Sequence, residues 1–298
     1  MTDSPVIVWF RDDLRIRDNP ALHAAVNHRA PVVGVYILDE ISSGIRALGG
    51  AAKWWLHHSL NTLKSDLGKL NISLILRRGA AAQEIRDIVE QTGAGAVLWN
   101  RRYGKAERLI DAGIKKSLIS RGLEAESFAA NLLFEPWKVR TQAGEPYSVF
   151  TPFWRACVSM PMPRLPLAEP KEQNRPLGLD GVFSISLGDL NLLPSGLDWS
   201  AGLEDMWTPG EDGAQQALEE FLDSRITTYS TDREVPSVVG TSLLSPYLRW
   251  GEISPYQVWH AATLAQREHP ETSQGVQCFL KELVWREFSW NILYHFPD

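Results

Sequence analysis

Cysteine is almost missing from this sequence: Cys157 and Cys278 are the only two, far apart, and no Cys or His set has metal-ligand spacing. That excludes a disulfide-built secreted scaffold and a structural metal, and it suits a reducing, cytoplasmic compartment. Long apolar runs are missing too, so nothing approaches membrane-spanning length and no membrane partner is expected. The opening Met1-Thr2-Asp3-Ser4-Pro5 has no leader pattern. No Gly-x-Gly-x-x-Gly follows the first apolar run, which disfavours a dinucleotide in the first half. Positive charge is in deficit, with a net charge of -6, so general adhesion to nucleic acid is not implied. The deficit is uneven: residues 1–150 hold 20 Lys plus Arg against 16 Asp plus Glu, residues 151–298 hold 10 against 20. A DNA-binding protein of this composition needs a local basic groove, and no complete one is visible in the sequence.

With 298 residues, 44% of them hydrophobic, the chain can bury a sizeable core and is expected to make two domains. Twelve Trp is many, and favours aromatic packing or an aromatic-lined pocket. Val6 to Phe10 is a short run rich in β-branched residues, read as a buried strand. Asp18-Asn19-Pro20 supplies a cap and first-turn proline for a helix through about His28. The alternation continues: strand 32–37, helix 51–67, strand 72–76, helix 81–90, strand 96–99, helix 106–120, strand 124–128. Strands alternating with helices predict a five-stranded parallel sheet, doubly wound and Rossmann-like, with ligands beyond the carboxyl ends of its strands. That rule points to Phe10, Arg11, Asp39, Glu40, Asn100 and Arg101, with Lys53 and Trp54 at the start of the second helix. Arg11 to Arg15 can equally form a capping and salt-bridge network.

From about Phe134 to Trp207 the regularity fades. Pro161, Pro163, Pro166, Pro170 and Pro176 disfavour helix and strand, so an extended connector is expected, disordered or docked through its aromatic residues. Helical character returns at about Ala214 to Ile226. The small hydroxyl residues of Gly240-Thr241-Ser242 can offer N–H and O–H groups to a phosphate, or act as an ordinary cap. Ser254-Pro255 opens a helix to about Arg267.

Phe279 to Phe288 has no Gly or Pro and reads as a helix that is apolar nearly all round, hence buried. Glu282, Trp285 and Arg286 fall at i, i+3 and i+4 on one face. Buried charges need partners. Two arrangements provide them: an internal Glu282–Arg286 ion pair, or a cavity wall with an acid, a flat indole and a cation for an anion.

Three segments resemble one family in the same order: Trp9 to Arg15, Gly240 to Pro246, and Glu282-Leu283-Val284-Trp285-Arg286-Glu287-Phe288. That family is the DNA photolyases and cryptochromes, and the match is most like a cyclobutane pyrimidine dimer photolyase. The resemblance implies an antenna domain over 1–133, an extended linker over 134–207 and the first part of an all-α FAD-binding domain over 208–298. Tyr229, Thr241, Ser242, Leu244, Ser245, Phe279, Glu282 and Arg286 would contact FAD, while Glu282 and Trp285 would bind the flipped lesion in damaged DNA and act in catalysis. Leu243 departs from relatives that carry Arg there. Phe10, Arg11, Glu40, Lys53, Asn100 and Arg101 are antenna candidates, and the segments around Lys53-Trp54-Trp55 and Trp99 to Tyr103 look most like members that use methenyltetrahydrofolate.

The implied activity is light-driven splitting of pyrimidine dimers by an electron from excited reduced FAD. Family members continue well beyond Asp298, which implies a fragment, a split product or a shortened gene: a monomer that binds flavin poorly and repairs nothing, unless joined by a complementing C-terminal fragment. A cryptochrome photoreceptor without repair has the same motifs, and a non-photochemical nucleotide-binding module is the third reading.

Overall fold

The computed structural model describes residues 4–173, 176–197 and 199–298. Met1 to Asp3, part of the segment read for a leader, lie outside the described residues, as do Asn174, Arg175 and Asp198 of the connector. Strands β1 (Val6–Phe10), β2 (Val32–Leu38), β3 (Ser73–Arg78), β4 (Ala96–Asn100) and β5 (Glu124–Phe128) form one sheet in the order β3-β2-β1-β4-β5, every pair parallel. The three inner strands are buried along their whole length, which is why they read as unbroken apolar runs. The edge strands carry exposed Ser73, Arg78, Glu124 and Glu126, polar groups that discourage further pairing.

Helices α1 (Pro20–Asn27), α2 (Gly50–Lys69), α3 (Ala81–Thr92) and α4 (Lys105–Ser120) make the crossovers. The Asn19 side chain caps α1 by accepting from Leu22 N, and Pro20 occupies the first turn. The period-two alternation of β1 divides the core. Ile7 and Trp9 pack with Ile85, Ile88, Trp99 and Ile114 on one face. Val6, Val8 and Phe10 share the other core with Trp54, Leu56 and residues far along the chain, including Phe221, Phe279, Val284 and Phe288. The α/β half and the helical half are therefore joined through one continuous apolar core, favourable by about 25 cal/mol per Å2 of apolar surface removed from water.

The connector is docked. Gln173 N donates to Leu70 O at 2.9 Å, Ile185 N to Leu76 O at 3.0 Å and Asp18 N to Leu167 O at 3.1 Å, tying it to the first half. It also contains helix where none was expected: α5 (Phe150–Ser159) and the short α6 (Ala201–Met206). Pro152 is the third residue of α5, where its missing N–H has no intrahelical partner to lose. Phe150, Phe153 and Cys157 form the buried face of α5.

The helical half comprises α7 (Glu211–Ser224), α8 (Tyr229–Asp232), α9 (Ser245–Trp250), α10 (Pro255–Glu268) and α11 (Ser273–His295). Ser254 and Gln257 close a capping box on α10. Among the described residues, no helix is long and apolar enough to cross a membrane, and no group of three or more His, Cys, Asp or Glu is placed to hold a metal.

Candidate functional site

A cavity of about 820 Å3 lies where the two halves meet. Its floor is α11, which contributes Phe279, Glu282, Leu283, Arg286 and Trp290. One wall is Tyr229 of α8 with the turn from Thr241 to Ser245 and the start of α9. The opposite wall comes from the α/β half: Asp12, Arg101, Arg102, Tyr103, Glu107 and Asn131.

The turn has a specific shape. Leu243 has φ 58°, a left-handed conformation that costs a side-chain-bearing residue roughly 1–2 kcal/mol. Leu244 N donates only a long 3.4 Å bond to Ser242 Oγ, and its carbonyl accepts Leu248 N at 2.9 Å as α9 begins. Gly240 is required just before it, since a Cβ there would come within 2.6 Å of the Asp232 backbone.

Glu282 and Arg286 do not pair with each other. Glu282 Oε1 lies 2.6 Å from Arg233 Nη1, a residue of the loop after α8. The bond to Glu282 holds the Arg233 guanidinium above its ordinary pKa. Arg286 Nη1 donates to Asn131 O at 2.8 Å and to Glu287 Oε1 at 3.2 Å, with Nη2 3.5 Å from Leu248 O. Burial pulls Arg286 down and pushes Glu287 up to about 7, and their mutual attraction opposes both. Glu287 is fully buried, and its carboxylate accepts Phe134 N at 3.1 Å, so α11 is latched to the end of the α/β half.

At the rim, Asp12 Oδ1 meets Arg249 Nη1 at 2.7 Å. Burial raises the Asp12 carboxyl, but Arg249 and Arg102 outweigh it and hold the group below its ordinary pKa. Four arginines, Arg101, Arg102, Arg249 and Arg286, face three acids, Asp12, Glu107 and Glu282, around this cavity. With the hydroxyls of Thr241, Ser242 and Ser245 and the rings of Tyr103, Trp207, Tyr229, Phe279 and Trp290, the lining suits a large, flat, anionic ligand.

Tyr229, Thr241, Ser242, Leu244, Ser245, Phe279, Glu282 and Arg286 all meet here. Trp285 does not: it lies one step round the helix, 41% exposed, stacked on Phe150 with centroids 3.6 Å apart and planes 8° from parallel. The antenna candidates disperse. Arg101 lines the large cavity and bonds Glu135 at 2.9 Å. Arg11 lines a neighbouring cavity of about 340 Å3 at the carboxyl ends of β1 and β2, with Trp9, Tyr36, Asp39 and Arg46, and this cavity shares Asp12, Arg102, Glu107 and Arg249 with the large one. Phe10 is core. Glu40 and Lys53 pair with each other at 3.0 Å.

Asn100 belongs to a buried network: its Nδ2 donates to Asp13 Oδ2 at 2.6 Å and Asn19 Oδ1 at 2.8 Å, while Arg11 donates to Asn100 O at 2.5 Å and pairs with Asp111 at 3.1 Å. The capping and salt-bridge reading of the segment after β1 is thus met in the structure. Sequence reasoning missed Asp12, Arg102, Glu107, Arg249 and Trp290 as lining residues; the available signal was that Asp12 and Arg102 lie within the segments already singled out and the other three just beyond one.

A doubly wound α/β half, strapped to a helical half with an arginine-rich cavity at the junction, defines the class: a two-part protein built of an α/β and a helical half around a shared cavity. The chain belongs to the DNA photolyase family, whose model matches residues 6–171. The deoxyribodipyrimidine photo-lyase of Agrobacterium fabrum is 45% identical over 295 residues, covering 99% of this chain and 60% of that protein. Cryptochrome-1 of Arabidopsis thaliana is 34% identical over 300 residues, 98% of this chain and 43% of that one. The crystal structure of a bacterial class III photolyase from Agrobacterium tumefaciens matches with a TM-score of 0.93 at 44% identity, covering all of this chain and 60% of that chain. The chain therefore spans about 60% of the length of the photolyases it matches.

Proposed function

We propose that the chain serves light-dependent DNA repair, with the large cavity as its FAD site and a cyclobutane pyrimidine dimer as the lesion. The observation that carries this reading is the convergence of Tyr229, the 241–245 turn, Phe279, Glu282 and Arg286 on one cavity. The residues fit the group: arginines in excess over acids suit a pyrophosphate, the strained turn directs small hydroxyl residues inward, and Phe279 and Trp290 suit a fused ring. Thr241, Ser242 and Ser245 would hold phosphate oxygens, and Arg286, fixed by Asn131 and Glu287, would balance the ring's negative charge. Reduced flavin, when bound, supplies on excitation the electron that opens the cyclobutane ring.

The protein's own part is positioning. Trp285 stacks on the turned-out base with its exposed surface, a contact of about 1–3 kcal/mol for a base on an aromatic ring. Glu282, oriented by Arg233, accepts a hydrogen bond from the base edge. Residues 1–133 serve as the antenna unit, 134–207 as the strap and 208–298 as flavin unit. The cavity beside Arg11 is the place offered for a folate antenna. Two free cysteines suit a cytoplasmic monomer. Because the chain spans 60% of its photolyase relatives, flavin binding by these 298 residues alone is expected to be weak and repair absent without a complementing polypeptide.

The similarity to Arabidopsis cryptochrome-1 favours a photoreceptor as the second reading. Flavin fluorescence titrated with the chain tests the site: saturable binding that Arg286→Met abolishes supports it, and binding indifferent to that change removes it. A blue-light dimer-splitting assay of the chain with a complementing photolyase C-terminal segment separates repair from signalling.

A further inference from the structure

Arg286 lines the large cavity, but the carboxylate behind it, Glu287, does not. The Glu287 side chain is fully buried, and its one ion-pair partner among the described residues is Arg286. At 3.2 Å from Nη1 to Oε1 this contact is longer than the roughly 2.7–2.9 Å of a tight charged bond. Arg286 is shared: the same nitrogen donates to Asn131 O at 2.8 Å, and Nη2 lies 3.5 Å from Leu248 O. Leu248 stands one helical turn beyond Leu244, to whose carbonyl its N–H donates, so the guanidinium lies within a turn of the 241–245 segment.

Every element packed on Glu287 presents a group to it. The segment after β5 brings the N–H groups of Leu133 and Phe134 and the carboxylate of Glu135; the loop after β4 brings Tyr103, α10 brings Tyr256 and α5 brings Cys157. Burial pushes the two phenols and the thiol up, so all three stay neutral. Glu135 Oε1 accepts Arg101 Nη2 at 2.9 Å and the Tyr103 hydroxyl at 3.0 Å, while its Oε2 is buried with no hydrogen-bond partner. Two carboxylates thus sit behind two arginines, Arg101 and Arg286, and both arginines line the cavity. An anion in the cavity draws on the same two cations and leaves this closed set with negative charge in excess. A proton restores the balance. Glu287 is the carboxylate nearest to accepting one, since burial already pushes it up to about 7.

We infer that Glu287 takes up a proton from solvent when an anionic ligand enters the large cavity, freeing Arg286 from its own carboxylate to face that ligand. The inference rests on the reading of this cavity as the FAD site. One O–H bond forms on Glu287, its proton comes from the buffer, and no electron moves. Linkage is reciprocal, so a ligand that tightens proton binding at Glu287 is itself bound more tightly by the protonated chain, by the same factor. Glu287 is a positioning residue: it acts through Arg286.

The test is calorimetric titration of the chain with FAD at pH 7.5 in PIPES and in Tris, whose heats of ionisation differ, with FAD affinity followed by flavin fluorescence from pH 6.5 to pH 8.5. Neither the pyrophosphate nor the oxidised ring of FAD titrates in that range. The unaltered chain should take up at most about three-quarters of a proton, the ionised share at pH 7.5 of a group titrating at about 7. Its affinity should fall about tenfold from pH 6.5 to pH 8.5. Glu287→Gln should bind FAD with no proton uptake and with an affinity level across the range. Glu135→Gln, and Glu211→Gln and Glu252→Gln at the other carboxylates that burial pushes up to about 7, should keep the uptake. FAD bound without proton uptake, or with an affinity that does not fall with pH, overturns the inference and leaves the FAD site standing. Uptake that survives in Glu287→Gln, or is lost in any of the other three variants, overturns it as well, and the latter outcome decides even where Glu287→Gln does not fold. No saturable FAD binding by the unaltered chain removes the FAD site, and this inference with it.

Discussion

The indole of Trp285 and the ring of Phe150 lie face to face, 3.6 Å between centroids and 8° from parallel, with Phe150 buried and Trp285 41% exposed. The two substitutions should therefore part company. Phe150→Ala empties a core position and should cost about 3–5 kcal/mol. Trp285→Ala removes a half-exposed ring and should cost about 1–2 kcal/mol, chiefly the stacked contact. Urea unfolding should show the larger loss in Phe150→Ala, and dimer-containing DNA should bind worse to Trp285→Ala. The reverse order in both assays would make Trp285 a packing residue.

The same pair shows how far the sequence could be read. The strands were legible because β1, β2 and β4 are covered on both faces and carry little but apolar side chains. Helix α5 was not, because the prolines from Pro161 to Pro176 gave the whole of 134–207 the look of an extended connector, whereas Phe150 to Ser159 lies ahead of them. For Glu282, periodicity offered Arg286 as partner, yet the guanidinium that meets it is Arg233, brought in by the fold from outside the helix. Asn100 looked like a ligand at a strand end and is instead hydrogen-bonded to Asp13 and Asn19. Long-range polar contacts leave no period in a sequence, so motifs placed the cavity and could not tell which polar residues were spent on the scaffold.

Arg233 and Glu282 are 2.6 Å apart with side chains 24% and 33% exposed, so the pair itself should add only about 1 kcal/mol to stability. Its effect should lie in orientation. Arg233→Met should weaken dimer binding by about five- to twentyfold, and in Glu282→Ala the further change to Met at position 233 should do little, a coupling of about 1–2 kcal/mol. A double-mutant cycle on DNA affinity measures it; additive losses would mean the two act separately.

Three glutamates fasten the halves together. Glu211 accepts Ile16 N and Arg17 N, Glu252 accepts Gly210 N, Trp55 Nε1 and Ser59 Oγ, and Glu287 accepts Phe134 N. Burial pushes each up to about 7 from an ordinary 4.5. The folded chain thus holds protons that the unfolded chain has released, so these groups make stability fall as pH rises from about 4.5 to about 7, and level off above that. His57 and His58 act in the opposite sense, since burial lowers both from 6.5 and stability rises as pH climbs through that value. The comparison with Glu287→Gln isolates one group: the stability gap between the two proteins should narrow from pH 5 to pH 8 by up to roughly 3 kcal/mol. A gap that widens would show that the ionised carboxylate is the favoured form at the latch.

Gly251 and Gly93 both end helices in the left-handed conformation, at φ 66° and 63°. Their surroundings differ. A Cβ on Gly93 meets nothing within 4 Å, so Gly93→Ala should cost only the backbone term, about 1 kcal/mol. A Cβ on Gly251 would stand 2.1 Å from Asp12 O and 2.6 Å from Asp13 Cα, backbone atoms of the α/β half that cannot swing aside. The same junction holds Leu14 N to Trp250 O at 3.0 Å and Arg15 Nη1 to Gly251 O at 2.8 Å. Gly251→Ala must displace it, so about 3 kcal/mol or more should be lost. Because Asp12 pairs with Arg249 at the cavity rim, flavin affinity should fall with it. Asn tolerates the left-handed region, so Gly93→Asn should recover most of the loss while Gly251→Asn should recover none. Calorimetric Tm values for the four variants decide the matter: equal penalties at the two positions would mean that the halves are not in the close contact drawn here, and that the cavity between them owes nothing to Gly251.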